Sequence, residues 1–301
     1  MYYRRKLILA LLQLFDGQLD KIRLQKLLFL YTKSASKTDS DVKRSIYDFI
    51  PYKYGCYSYS ANADFTVMVS KGMLKETESH FISNDRTDYL KLIEDFDRKK
   101  LQKIKFLYGN LNATELMKYT YVHFPYWAIK SVKAESILTG EELKRVNLCK
   151  PKMGETVLFT IGYEGISLEE YLNRLLKNGT KILVDVRNNP LSMKYGFSKS
   201  QLKRYCESLS IQYIHFPEMG IQSGQRQELN SQSDYDNLFV AYRKNNLSQT
   251  QATQNKILSL LKQHNRIALT CFEANIYQCH RKHLADAISK LPGFEYEIKH
   301  I

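Results

Sequence analysis

"TVLFTIGYEGISLEEYLNRLLKNGTKILVDVRNNP", residues 156–190, reads as strand, helix, strand. "VLFTIG" is an unbroken apolar run of strand length, the pattern of a strand buried on both faces. Ser167, followed three residues later by Glu170, is a capping-box signature opening a helix over "LEEYLNRLLKNG". "KILVDVR" is then a second strand. The alternation continues with a helix over "SKSQLKRYCESLS", a strand over "IQYIHF", and two helices over roughly 234–244 and 249–263. "RIALTC" is a fourth strand, a helix starts near His280, and "FEYEIKHI" closes as a fifth strand. Strand and helix alternating at this spacing imply an α/β domain with a mostly parallel sheet and helices on both faces.

In open parallel sheets, sites form beyond the carboxyl ends of the strands. Here the polar residues gather at those ends: Tyr163 and Glu164 after the first strand, Asp185, Arg187, Asn188 and Asn189 at the second. Glu218 follows the third, and Cys271 and Glu273 end the fourth. Cys279, His280 and Arg281 stand where the next helix begins.

Residues 1–152 have a different rhythm. "YYRRKLILALLQLF" and "KIRLQKLLFLYTK" carry leucines at helical spacing on either side of a break at Gly17, as in a helix-turn-helix start. "IYDFIPYKYGCYSYS" reads as strand plus loop, and "ANADFTVMVSKGMLKETESHFIS" as a third helix followed by a hairpin or wing. One or two further helices follow, and "ILTGEELKRVNLCKPKMGE" reads as their exit and a linker. The expected division is a mainly helical, winged-helix-like domain over 1–152 and an α/β domain over 153–301.

The chain carries a net charge of +14. Residues 1–150 contribute +9 (26 Lys+Arg less 17 Asp+Glu) and residues 151–301 contribute +5 (19 less 14). Such a balance points to a polyanionic partner, DNA ahead of RNA, and no membrane is expected. Among 22 tyrosines, "YYRRK" and "PYKYGCYSYS" interleave basic and aromatic residues, a composition suited to stacked bases and phosphates. Candidate nucleic-acid contacts are Arg4, Arg5, Lys21, Arg23, Lys26, Lys53 and Tyr54. The apolar start is interrupted by Gln13, Asp16 and Asp20, unlike a signal peptide, so a cytoplasmic location is expected. Five cysteines, an odd number, imply reduced thiols rather than a disulfide framework. A homodimer is compatible with this composition.

The segments "FTIGYEG", "ILVDVRNNPLSMKYGFSK", "IQYIHFPEMG", "LTCFEANIYQCHRKHLADAI" and "IKHI" resemble, in this order, the family catalogued as domain of unknown function 488, over about 157–301. That resemblance implies a Rossmann-like sheet with Asp185, Arg187, Cys271, Glu273, Cys279, His280 and Arg281 in its pocket. Members often carry an arginine after the "P-x-S" that follows the DVR strand, where this chain has Met193. "KIRLQKLLFL", "FIPYKYGCYS" and "DFTVMVSKGML" loosely resemble helical modules found beside antitoxin-like and phage-associated proteins.

Four chemistries compete for these residues. Glu273 and Asp185 as an acid–base pair, with Arg187 and Arg281 on phosphate, describe a hydrolase of glycosidic or phosphodiester bonds in nucleic acid. In that reading Cys271, Cys279, His280, Tyr163, Glu164, Asn188 and Glu218 complete the pocket. The resemblances of the two halves, taken together, imply a genome-defence or DNA-maintenance role. Cys271 as a rhodanese-like nucleophile is a second chemistry, although the loop to Arg281 has no glycine to cradle an anion. Cys271, Cys279, His280 and His283 lack any familiar zinc spacing, so neither metal nor cofactor is expected. The non-enzymatic alternative is a DNA-binding regulator whose α/β domain senses a nucleotide.

Overall fold

The computed structural model describes residues 1–34, 46–225 and 229–301. These form two compact units, Met1–Lys150 and Pro151–Ile301.

In the first unit, helix Tyr3–Leu14 buries every residue from Leu7 to Leu12, which makes it a core helix rather than a surface one. The expected break falls at Asp16 and Gly17, both at positive φ, but it leads into a short strand, β1 (Gln18–Asp20), not directly into the next helix. Asp20 then caps helix Lys21–Lys33 by accepting from the backbone N–H groups of Ile22 and Arg23. β2 (Ile50–Tyr52) and β3 (Gly55–Tyr57) pair as a hairpin. Helix Tyr59–Ser70 follows, then β4 (Leu74–Glu76) and β5 (His80–Ser83), which join β1 in an antiparallel sheet of order β1-β5-β4. Helices Asp95–Tyr108 and Ala113–His123 complete the core. The stretch read as exit and linker instead forms helix Gly140–Leu148, opened by a capping box between Thr139 and Glu142.

The second unit holds the five strands expected from periodicity: β6 (Val157–Gly162), β7 (Ile182–Asp185), β8 (Gln212–His215), β9 (Arg266–Cys271) and β10 (Glu297–His300). Their order is β10-β6-β9-β7-β8, and every neighbouring pair is parallel. β6, β7 and β9 are buried along their whole length, as the apolar runs require. Each fully buried Val, Leu or Ile in them contributes about 1.5–3 kcal/mol through removal from water. Ser167 caps helix Leu168–Lys177, but the reciprocal half of the capping box is replaced, because Glu170 pairs with Arg174 at 2.6 Å.

Helix Leu168–Lys177 follows β6 and packs on the face carrying Thr270, to which Tyr171 donates a hydrogen bond. Helix His280–Ile288 follows β9 and packs on the opposite face, with Leu158 and Leu269. The connections after β6 and β9 therefore diverge, which opens a crevice at the carboxyl ends of those two strands.

Gly55 sits at φ 88°, and a Cβ there would lie 2.3 Å from Cε1 of Tyr121. Gly55→Ala should therefore destabilise the first unit by about 1–3 kcal/mol. The single tryptophan, Trp127, lies in that unit, so its fluorescence in urea reads the loss directly. A parental midpoint in the variant would contradict this packing.

Candidate functional site

Two clusters of side chains stand at the carboxyl edge of the second sheet. The first is built on the end of β7. Asp185 is completely buried and accepts from the Arg187 backbone N–H at 3.1 Å, from Arg187 Nε at 2.9 Å and from the Tyr213 hydroxyl at 2.5 Å. Arg187 Nη2 completes a buried ion pair with the same carboxylate. Arg187 Nη1 donates to the Tyr163 hydroxyl at 2.8 Å and to the Phe197 carbonyl at 2.9 Å. Tyr163 stacks on Phe197 with ring centroids 4.2 Å apart. Burial alone would lower the Arg187 pKa, but the hydrogen bonds and charge of Asp185 outweigh it and raise it above its ordinary value.

The arrangement changes what these residues can do. The Asp185 carboxylate is spent on its own neighbour, and the Arg187 guanidinium faces the interior rather than a phosphate. Both are placed as framework. Tyr213 and Phe197, which complete the network, carried no polar-edge signal in the sequence because each reads as an ordinary apolar position.

The second cluster comes from β9 and the start of the helix after it. Cys271, Glu273, Cys279 and His280 each present a side-chain donor atom, and all four atoms lie within 4.8 Å of one another. Cys271 Sγ is 2.9 Å from a Glu273 carboxylate oxygen and 3.6 Å from His280 Nδ1. Cys271, Cys279 and His280 are buried, whereas Glu273 is partly exposed. The Cys279 thiol is pushed well up by burial and by its contact with Cys271, while the nearby charge of Arg281 acts to lower it. His280 Nε2 lies 3.0 Å from the Val186 carbonyl. A carbonyl only accepts, so Nε2 carries a hydrogen, and in the neutral ring Nδ1 is then the acceptor that faces Cys271.

Gly162 allows this turn to form, since a Cβ there would lie 2.0 Å from the Glu273 carbonyl oxygen. Arg281 is buried and donates to the carbonyls of Glu273 and Ala274, at 2.5 and 3.3 Å, so it braces the loop rather than facing solvent. Its Nε has no hydrogen-bond partner among the described residues.

The remaining candidates are spread along the edge. Glu164 accepts from the Ala274 backbone N–H at 2.9 Å. Asn188 donates to the Pro217 carbonyl at 3.1 Å, and Glu218 accepts from Thr253 at 2.8 Å. Met193 is fully exposed. Asn188 and Glu218 line a cleft of about 770 Å³ with Asn237, Asn245, Asn246 and Gln249. Tyr242, also in its wall, meets the His280 ring edge to face at 5.5 Å.

In the first unit, Lys53 and Tyr54 are exposed, as a nucleic-acid contact requires. Lys21 pairs with Glu76 at 2.6 Å, and Arg23 donates to the Gly109 carbonyl at 2.9 Å. Arg4 and Arg5 both pair with the buried Asp64, which also accepts from Tyr47. Lys26 is a correction: it is 2% exposed and donates to the Cys56 carbonyl at 2.8 Å, so it cannot reach a phosphate in this fold. A lysine on a leucine-rich helix reads as surface in sequence, and only the packing of β3 against it reveals otherwise.

The fold and its edge define a parallel-sheet α/β unit with a thiol–carboxylate–imidazole cluster at its crevice. Residues 167–288 match the model of the family described as Domain of unknown function DUF488, so the C-terminal half carries the family resemblance seen in its motifs. No curated protein matches the chain. Among the described residues, no helix is long and apolar enough to cross a membrane.

His283, the other histidine of the helix, points away from the cluster: its ring packs on Phe239 and its Nδ1 is 3.1 Å from Arg243. Burial, then the charges of Arg243 and Lys282, lower its pKa from 6.5 to about 4. The fold therefore favours the neutral ring, while the unfolded chain takes up a proton below pH 6.5. The stability that His283 contributes is full above that value and is lost as pH falls toward 4. His283→Gln should consequently compare better with the parent at about pH 5 than at about pH 7.5 in urea midpoints. An equal gap at both values would contradict the assignment.

Proposed function

We propose that the protein is a nucleic-acid-processing hydrolase, acting on glycosidic or phosphodiester bonds, whose acid–base residue is Glu273. The observation that carries this reading is the position of Glu273. Glu273 is partly exposed, and its carboxylate lies within 4.8 Å of two buried thiols and an imidazole at the crevice between β6 and β9. A carboxylate at the rim of a buried polar cluster can exchange a proton with a substrate or a water, the requirement of general acid–base catalysis. Asp185 is assigned no chemical step, because its ion pair with Arg187 holds both groups inside. Cys271 is likewise a poor sulfur nucleophile, since a thiolate there would form beside the Glu273 carboxylate.

The cleft beside the cluster supports a nucleobase or nucleotide as the bound group. Its amide side chains offer paired donors and acceptors suited to base edges. The basic first unit supports delivery of DNA in preference to RNA. Its order of helix, strand, helix, then later helix, strand and strand, with β5 between β1 and β4, fits a winged-helix-like reading. Lys53 and Tyr54 are the exposed contacts in that reading, and genome defence is a role that such a pairing of units would serve.

End-labelled DNA and RNA, single- and double-stranded and with modified bases, test the proposal against the protein and its Glu273→Gln variant. Strand products on denaturing gels should fall on the order of 100-fold in the variant. Products that appear only after alkali would identify base excision. Binding without turnover across every substrate would overturn the hydrolase and leave a nucleotide-sensing regulator.

A further inference from the structure

We infer that Cys271, Cys279 and His280 form a zinc site, with Glu273 beside its fourth, open position. Sequence spacing argues against zinc, because the pattern C-x7-C-H-x2-H, which would take His283 as fourth ligand, is unfamiliar. The structure replaces that set. His283 packs on Phe239 away from the cluster, and Glu273 takes the remaining side.

Three observations carry the inference. The first is distance. Zinc bonds of about 2.3 Å to sulfur and 2.0–2.1 Å to nitrogen give tetrahedral edges of about 3.3–3.8 Å. Cys271 Sγ and His280 Nδ1 are 3.6 Å apart, and the whole set lies within 4.8 Å. The second is the imidazole. The hydrogen bond of Nε2 to the Val186 carbonyl orients the ring and turns Nδ1 toward Cys271 Sγ, as the outer-shell carbonyl of a metal-bound histidine does. The third is the donor set itself. Two thiolates and a neutral imidazole balance the charge of a divalent ion, so the complex can be buried without a net charge. Soft sulfur with imidazole selects zinc over magnesium or calcium.

Adjacent ligands are possible here because Cys279 is the extended residue just before the helix and His280 is its first residue. Binding releases one proton from each thiol, so each ion taken up displaces two protons. Three protein ligands and an open position are the arrangement of catalytic rather than structural zinc. Glu273, outside the ligand set, would accept the proton of a water bound there, leaving hydroxide on the ion and a neutral carboxyl. Only this last role rests on the hydrolase proposal; the site itself does not.

The test uses the full-length reduced protein, apo and loaded with zinc or cobalt. Elemental analysis should find about one zinc per chain, and cobalt should give the visible absorption of a tetrahedral thiolate complex. Cys279→Ala and His280→Ala should lose both signals, whereas Glu273→Gln and Cys149→Ser, a change in the first unit, should keep them. Retention in Glu273→Gln together with lost turnover would support the water role, and a bound ion with no turnover anywhere would retire the hydrolase but not the site. Circular dichroism of each variant separates lost ligation from lost fold, and the parental cobalt spectrum stands without any variant. Folded parental protein with no ion and no cobalt spectrum would overturn the inference. So would a ready Cys271–Cys279 disulfide in metal-free protein whose reduced form still takes up no metal.

Discussion

The buried ion pair between Asp185 and Arg187 is the constraint on which the carboxyl edge of the sheet depends. Taking two charges out of water costs several kcal/mol for each ion, and such a pair survives only when its remaining hydrogen-bonding capacity is met. Here Tyr213 and the Arg187 backbone N–H complete the carboxylate, and Tyr163 and the Phe197 carbonyl complete the guanidinium. The pair ties residue 185 to residue 187 immediately past the register in which Asp185 faces Thr270 of β9. Val186 lies between the paired residues. Its N–H bonds Thr270, and its carbonyl orients His280. The thiol–imidazole cluster is therefore aimed by a charge pair that need not touch any ligand itself.

This division of labour explains why the edge holds so many ionisable residues yet leaves so few open. Arg281 braces the β9 loop through two backbone carbonyls, and Gly162 lets that loop approach β6 closely. Glu273 alone joins the buried cluster while keeping part of its surface in solvent. In the first unit the same economy appears with the sign reversed. Asp64 gathers Arg4, Arg5 and Tyr47, while Asp97 takes the hydroxyls of Tyr3 and Tyr31. Arg4 and Arg5 are thus held by an acid, a pairing that the net charge already counts, whereas buried Lys26 is withdrawn from a polyanion.

The fold of the second unit was legible because its strands are buried on both faces. Runs such as "VLFTIG" and "RIALTC" leave little ambiguity once helices with caps separate them. The edge was legible for a topological reason, since parallel strands collect their polar exits on one side. Pairing between those residues was not. Asp185 and Arg187 are two apart, and alternation along a strand would send both side chains to the same face without saying that they bind each other. Nor could spacing show that Glu273, and not His283, joins the thiols, because that depends on where the β9 loop turns. Lys26 misled for the opposite reason: its helix is covered on the side that the charge pattern marks as solvent.

The central claim is that Asp185 and Arg187 are framework and leave the chemistry to the cluster beside them. The most direct measurement is a double-mutant cycle of Asp185→Asn and Arg187→Met, read in the full chain by urea-dependent hydrogen exchange of peptides from β7 and β9. Each single change should cost about 3–5 kcal/mol, because it strands a buried charge or its partner. The double change should be milder than the sum by about 2–3 kcal/mol. Additive or near-neutral effects would contradict the account and return Asp185 to the list of residues free for catalysis.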